Sequence, residues 1–353
     1  MRLETAVILG ALSDTAAVPA LKKLLDDADR DIRLEAAKSL ARLGDPSGVK
    51  LLLQLAGLDP DAGLALRLLA RLDPAEHLPA LLTHLKKPAT DEELNDIAHL
   101  LSACERDVVV PLIEDACGDD SAPLRANAAA LLGRLKERDA VATLTSLLKD
   151  SSWHVRVQAV QAIGSMRLKS ALPSVQMLAA AVTQRGENPR TTTAREACAI
   201  ALSRLGDQDG AAHLCLLEIG TTKRACVSPE VVAQVGGQEL ERVLVAAIKH
   251  PDPGRPVQFL LDELRGLELM ASRAAAPTIE ELLRERPYAR TPALDLPEIW
   301  AGLLDTLAGC AGPAAARTAA AHADDERPLV RLAACRAILR LTGKDITEDR
   351  STT

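Results

Sequence analysis

Residues 2–14 (RLETAVILGALSD) and 33–45 (RLEAAKSLARLGD) share seven residues at an offset of 31. The pattern returns at 123–139, 154–170, 193–209 and 329–345. Its leading arginines are Arg2, Arg33, Arg125, Arg156, Arg195 and Arg331. Arg2 to Arg33 and Arg125 to Arg156 are both 31 residues, and Arg33 to Arg125 is 92, close to three periods. A period of this size leaves few folds open. One unit cannot bury both of its faces alone, so neighbours must stack and the core grows in one dimension.

Within a unit the apolar spacing is helical: Ile32, Ala36, Leu40 and Leu43 lie on one stripe. Shorter apolar helices lie between, and Pro19, Pro79, Pro111 and Pro173 are expected in their first turns, where a missing N–H costs nothing. Each unit therefore reads helix A, turn, helix B, turn. Aromatics make up only 1% of the chain, namely Trp153, Phe259, Tyr288 and Trp300. Ala, Leu and Val must fill the core instead, and these suit helices stacked closely at regular spacing.

An aspartate stands six residues before four of the arginines: Asp27 before Arg33, Asp119 before Arg125, Asp150 before Arg156 and Asp325 before Arg331. An arginine in the first turn of a helix opposes the macrodipole unless a carboxylate answers it. These pairs are expected to form a structural Asp/Arg ladder, the carboxylate coming from the same or the adjacent repeat. Recurrence in every well-formed unit argues against a catalytic role.

The Asp-x5-Arg-x2-Ala-Ala-x-Ala-Leu-x-x-Leu-Gly-Asp pattern resembles the bacterial HEAT repeats also called phycobilisome-lyase-type HEAT-like repeats. Clear matches cover about 16–45, 108–209 and 313–345. The resemblance implies an all-α fold, a right-handed α-α superhelix (a HEAT/armadillo-like solenoid) of about ten helix pairs. One solenoid is expected across 1–353: an incomplete repeat at 1–14, regular repeats at 16–209, degenerate repeats with Pro-rich loops at 210–312, a C-terminal repeat at 313–345 and a flexible tail at 346–353.

Three departures stand out. Met1 falls immediately before a helix B, leaving Leu3, Val7 and Ile8 with nothing upstream to cover them; a natural start further upstream is the favoured expectation, and a helix lying against a partner the alternative. Residues 182–194 (VTQRGENPRTTTA) lengthen one unit, so that Arg156 to Arg195 is 39 residues, and read as a surface loop. Residues 220–312 lose the arginine signature and hold Phe259, Tyr288 and Trp300. Tyr288, in a proline-rich loop pattern, is a candidate contact for a partner.

Arrays of this type are scaffolds more often than enzymes, and the chemistry-bearing residues agree. Deoxyhypusine hydroxylase, a HEAT-type precedent, binds two irons through repeated His-Glu pairs. Here no histidine precedes a glutamate, and Glu76-His77 is a lone reversed pair. His84, His99, His154, His213, His250 and His322 are dispersed without metal-ligand spacing. HEAT-like DNA glycosylases line a basic groove, whereas this chain has net charge −7. No bilin site is identifiable, which leaves a phycobilin-lyase-like or other modifying enzyme as the alternative. The seven cysteines, without a C-x-x-C, read as small buried residues of a reducing, cytoplasmic compartment.

The expectation is a non-catalytic protein-binding scaffold, with no cofactor, metal, nucleic acid or membrane. Arg42, Arg71, Arg134, Arg204 and Arg340 each precede a leucine late in a helix B. Equivalent positions stack, so these cations are expected in a row along the concave helix-B face, suited to an acidic segment of a protein partner. A cation in the last turn also complements its own helix dipole by roughly 0.3–1 kcal/mol.

Overall fold

The computed structural model describes the chain apart from residues 1, 12–14, 57–61, 184–188, 220–221, 226, 252–253, 255 and 344–353. The expected tail thus lies outside the described residues. The chain divides into two compact units, Met1–Ser174 and Val175–Thr353.

In the first unit the helices are α1 (Arg2–Ala11), α2 (Val18–Leu24), α3 (Arg30–Arg42), α4 (Val49–Ala56), α5 (Ala62–Leu72), α6 (Pro74–His84), α7 (Asp91–Leu101), α8 (Arg106–Ala116), α9 (Ala122–Leu135), α10 (Val141–Leu147) and α11 (Trp153–Met166). Helix α12 (Leu172–Thr183) falls mostly in the second unit. There follow α13 (Pro189–Leu205), α14 (Gln208–Cys215), α15 (Pro229–Val235), α16 (Gln238–Lys249), α17 (Val257–Leu269), α18 (Ala275–Glu285), α19 (Pro297–Cys310), α20 (Ala316–Ala320) and α21 (Pro328–Thr342).

Odd-numbered helices pack on odd-numbered ones. In the first unit α1 meets α3, α3 meets α5, α5 meets α7, α7 meets α9 and α9 meets α11; in the second the run is α13, α15, α17, α19, α21. Most even-numbered helices pack on the odd helix that follows them, as α2 on α3 and α20 on α21, whereas α6 packs on α5 before it. These are helices B and A, and after α1 they make ten pairs among the described residues. The fold is all-α, of the repeat-superhelix class.

Small residues set the spacing between B helices. A Cβ on Gly10 of α1 would lie 2.1 Å from Ser39 Oγ of α3, and one on Gly133 of α9 would lie 2.7 Å from Ala162 Cβ of α11. Those neighbours stand six residues after their ladder arginines and the glycines eight after theirs, so the period that repeats the sequence repeats the contact. Ala36, Ala37, Leu40 and Ala41 are wholly buried on α3, as are Ala126, Ala128, Ala129, Leu131 and Leu132 on α9. Burial on several sides explains the many alanines. Such a B helix is covered by its own A helix and by both neighbours.

Two expectations need correction. Pro79 and Pro111 lie inside α6 and α8, because these helices start a turn earlier than the prolines suggest. Asp73 begins α6 by accepting the Glu76 amide at 3.1 Å. Pro19 and Pro173 do fall in first turns. The expected loop at 182–194 is shorter, since α12 runs to Thr183 and α13 starts at Pro189. Among the described residues two short strands are not helical: Leu216–Ile219 pairs antiparallel with Thr222–Ala225.

Candidate partner-binding face

The arginine of each well-formed repeat folds back on the turn before its own helix. Arg33 Nη1 donates to the carbonyls of Asp27 and Ala28 at 2.7 and 2.9 Å, Arg125 Nη1 to those of Asp119 and Asp120 at 2.8 and 2.9 Å, and Arg331 Nη1 to those of Asp325 and Glu326 at 2.8 and 3.0 Å. Arg156 reaches the Asp150 carbonyl through Nε. Within its own repeat, then, the arginine takes the aspartate's backbone and not its carboxylate.

The carboxylates face the preceding repeat. Arg2 Nη1 meets Asp27 Oδ2 at 2.9 Å, and Arg125 forks onto Asp150 through Nε and Nη2 at 2.7 and 2.9 Å. In each case the carboxylate comes 25 residues after the arginine. Each aspartate also closes its turn by accepting an amide two residues on: Asp29, Ser121, Ser152 and Arg327 supply these. The Arg125 fork holds the Asp150 carboxyl below its ordinary range. At Asp325, hydrogen bonds from Arg327 have the same effect more strongly.

The late B-helix arginines do not form an uncompensated basic row. Arg42 pairs with Glu35 of its own helix at 3.1 Å. Arg134 donates to Asn95 Oδ1 at 2.7 Å and pairs with Asp91, both on α7. Arg340 crosses α19 to Glu268 on α17 at 3.0 Å. Arg204 is exposed, with no ion pair among the described residues. The Arg71 side chain lies outside the described residues. Asp91 and Glu268 supply two of these partners from positions outside the repeat motif, where periodicity gives no signal.

Tyr288 is not a surface contact. It is only 3% exposed, its hydroxyl donates to the Ile248 carbonyl, and its ring lies 6.1 Å from that of fully buried Trp300. Trp300 donates to Asp295 at 2.7 Å, stacks on His322 at 6.3 Å and lies under the guanidiniums of Arg286 and Arg327, 5.1 and 5.5 Å from its centroid. The rings fill space between α18, α19 and α20 that alanine and leucine leave open. Burial, then the charge of Arg286, pushes the His322 pKa down. Of the aromatics of this stretch, Phe259 is the one at the surface, 41% exposed.

A cleft of about 510 Å³ opens between α14 and α16, walled by Gln208 and Asp209 on one side and the Glu239–Arg242 ion pair on the other. Gln208 is fixed by bonds to the Val235 and Gly236 carbonyls. Among the described residues no group of three or more His, Cys, Asp or Glu side chains could hold a metal ion. The Glu76 and His77 side chains approach each other at 3.8 Å. These residues do not fit a two-iron set of His-Glu pairs, and no reaction step is derived through one. Among the described residues no helix is long and apolar enough to cross a membrane.

A family model described as HEAT repeats matches residues 1–65 and 109–186. The chain is 31% identical over 200 residues to a deoxyhypusine hydroxylase of Gallus gallus, covering 54% of this chain and 61% of that protein. It is 28% identical over 236 residues to deoxyhypusine hydroxylase-B of Oryza sativa subsp. japonica, covering 57% of this chain and 76% of that one. Among solved structures, the complex of CpcE and CpcF of phycocyanin lyase from Nostoc sp. PCC7120 aligns with a TM-score of 0.36 and 20% identity, over 74% of this chain and 94% of the other. The expectation that the chain is not an enzyme is corrected by these relatives, two of which are named as hydroxylases.

Proposed function

The chain carries HEAT repeats, and from that premise we propose that it recognises a protein partner along its helix-B face. The observation that supports this most is the stacking of B helix on B helix within each unit. Such stacking repeats one surface at regular intervals and suits an extended polypeptide better than a small ligand. Among the late B-helix cations, Arg204 is the one whose described surroundings leave its charge to a partner, and an acidic segment would complement it.

A second reading follows from the hydroxylase relatives: the polypeptide held on this face is a substrate to be modified. Affinity purification of the full chain from its host tests the first reading, with Arg204→Glu as the comparison. A stoichiometric protein retained by the wild type and lost with the variant supports it; identical retention refutes the role of Arg204. Mass analysis of the retained protein before and after incubation separates a held partner from a modified one.

A further inference from the structure

Two neighbouring turns of the first unit carry cations where the repeat elsewhere carries glycine. Eleven residues after the motif arginine the backbone turns left-handed, and Gly44 and Gly206 do so at φ of 78° and 99°. The same place holds Lys136 after α9 and Arg167 after α11, at φ of 59° and 53°. Two backbone bonds close all four turns alike: the left-handed residue donates to the carbonyl three back, and the next residue to the carbonyl five back. A side chain in this conformation is strained, and glycine is not. Complementing the helix C-terminus does not require it, since α9 already has Arg134 in its last turn. Lys136 and Arg167 therefore hold charge at these turns at a cost to local stability.

Two residues further on, Arg138 and Lys169 repeat the arrangement, again 31 residues apart, where Pro46 and Gln208 stand in the other turns. Repeat stacking brings the two turns together. The turn Lys169–Ala171 packs on α10, the helix that starts where Arg138–Ala140 ends. All four cations are exposed, and none has an ion pair among the described residues. Acids beside this edge are Glu137, which is buried and bonded to Arg106, then Asp139, and Asp107 next to Arg106. Setting these three against the four cations and Arg106 leaves two positive charges, in a chain whose net charge is −7.

We infer that this basic edge, built from Lys136, Arg138, Arg167 and Lys169, docks an acidic segment of a protein partner. The inference rests on the protein-binding reading above and concerns the first unit only, whereas Arg204 lies in the second. An acidic polypeptide is favoured over nucleic acid on three grounds. Four cations neutralise few phosphates, the two turns hold no aromatic ring on which a base could stack, and the whole chain repels a long polyanion.

The test titrates the full chain into a fluorescein-labelled Glu-rich peptide and follows anisotropy, with thermal melting of each variant alongside. Lys136→Gly combined with Arg167→Gly restores the glycine of the other turns, so the melting midpoint should stay close to or above that of the wild type. Binding should nonetheless weaken about tenfold, as it should for Arg138→Gln combined with Lys169→Gln. No binding by the wild type, or undiminished binding by either double variant, overturns the inference. So does a lower midpoint of the glycine variant at unchanged affinity, which assigns the cations to the helix ends. Preferential capture of a single-stranded oligonucleotide, lost with the same variants, overturns the choice of partner. Arg204 is intact in all of these variants, so loss of host-partner capture in Arg204→Glu bears on the broader proposal alone.

Discussion

Replacing Arg125 by alanine should open the first unit locally around α9 and α11. The side chain is 14% exposed and makes four hydrogen bonds, two to the Asp150 carboxylate and two to the carbonyls of Asp119 and Asp120. Asp150 is 9% exposed and would keep the Ser152 amide as a bonded partner. Breaking a largely buried pair from one side leaves an uncompensated charge, a cost of about 3–5 kcal/mol where burial is complete; with this residual solvent access the expected loss is about 2–4 kcal/mol. Arg125→Lys keeps the charge but loses the fork, and should cost about half as much. Repeat arrays open locally, so hydrogen exchange of α9 and α11 amides is the suitable assay, with the second unit as internal reference. Arg242, 70% exposed against 43% for its partner Glu239, is the control, and Arg242→Ala should leave exchange in its own helix α16 close to wild type. A change below about 0.5 kcal/mol for Arg125→Ala, or equal changes for the two variants, would refute the view that the ladder holds repeats together.

Two further outcomes are expected in the second unit. Tyr288→Phe should cost about 1–3 kcal/mol by stranding the buried Ile248 carbonyl, seen as a lower denaturant midpoint, and leave partner capture intact; lost capture at unchanged stability would restore Tyr288 as a contact. His322 has a folded-state pKa below the ordinary 6.5, so the folded state favours its neutral ring. The stability it contributes is complete above about pH 6.5 and is lost as pH falls below that value, because the unfolded chain takes the proton first. Arg286 and Arg327 oppose the proton and Asp325 favours it. Thermal melting between pH 7.5 and 5.5 should therefore show a steeper decline for the wild type than for His322→Asn, about these values of pH; parallel curves would remove His322 as the cause.

Periodicity carried most of what could be read from the chain. Arg33, Arg125, Arg156 and Arg331 recur because every well-formed repeat needs the same turn closed, and a need that repeats leaves a visible spacing. What did not repeat was hidden. Asp91 and Glu268 neutralise Arg134 and Arg340 from positions outside the repeat motif, and Glu35, which repeats Glu4, turns to Arg42, so a row that looks basic in sequence is largely paired in space. Tyr288 was misplaced for a related reason: prolines at 287 and 292... mark a local bend only in part, whereas burial depends on Ile248 and Trp300, far along the chain. Which oxygen of the ladder aspartate faces which repeat was also beyond spacing alone, since six residues back and 25 forward both lead to the same residue type.

A rung of the ladder has two separable parts, and the described residues show which of them repeats. Arg33, Arg125, Arg156 and Arg331 each close the turn before their own helix by donating to the backbone carbonyl of the aspartate six residues back. A carboxylate 25 residues on is bonded at Arg2 and Arg125, through Asp27 and Asp150. Turn closure is therefore the need that fixes the arginine in every well-formed unit, and the carboxylate link is added where a particular pair of neighbours meets. Loss of the link alone, in Asp150→Asn, should then cost less than Arg125→Ala, because the two carbonyl bonds of Arg125 survive it. Equal losses in hydrogen exchange of α9 for the two variants would show that turn closure by Arg125 contributes nothing of its own.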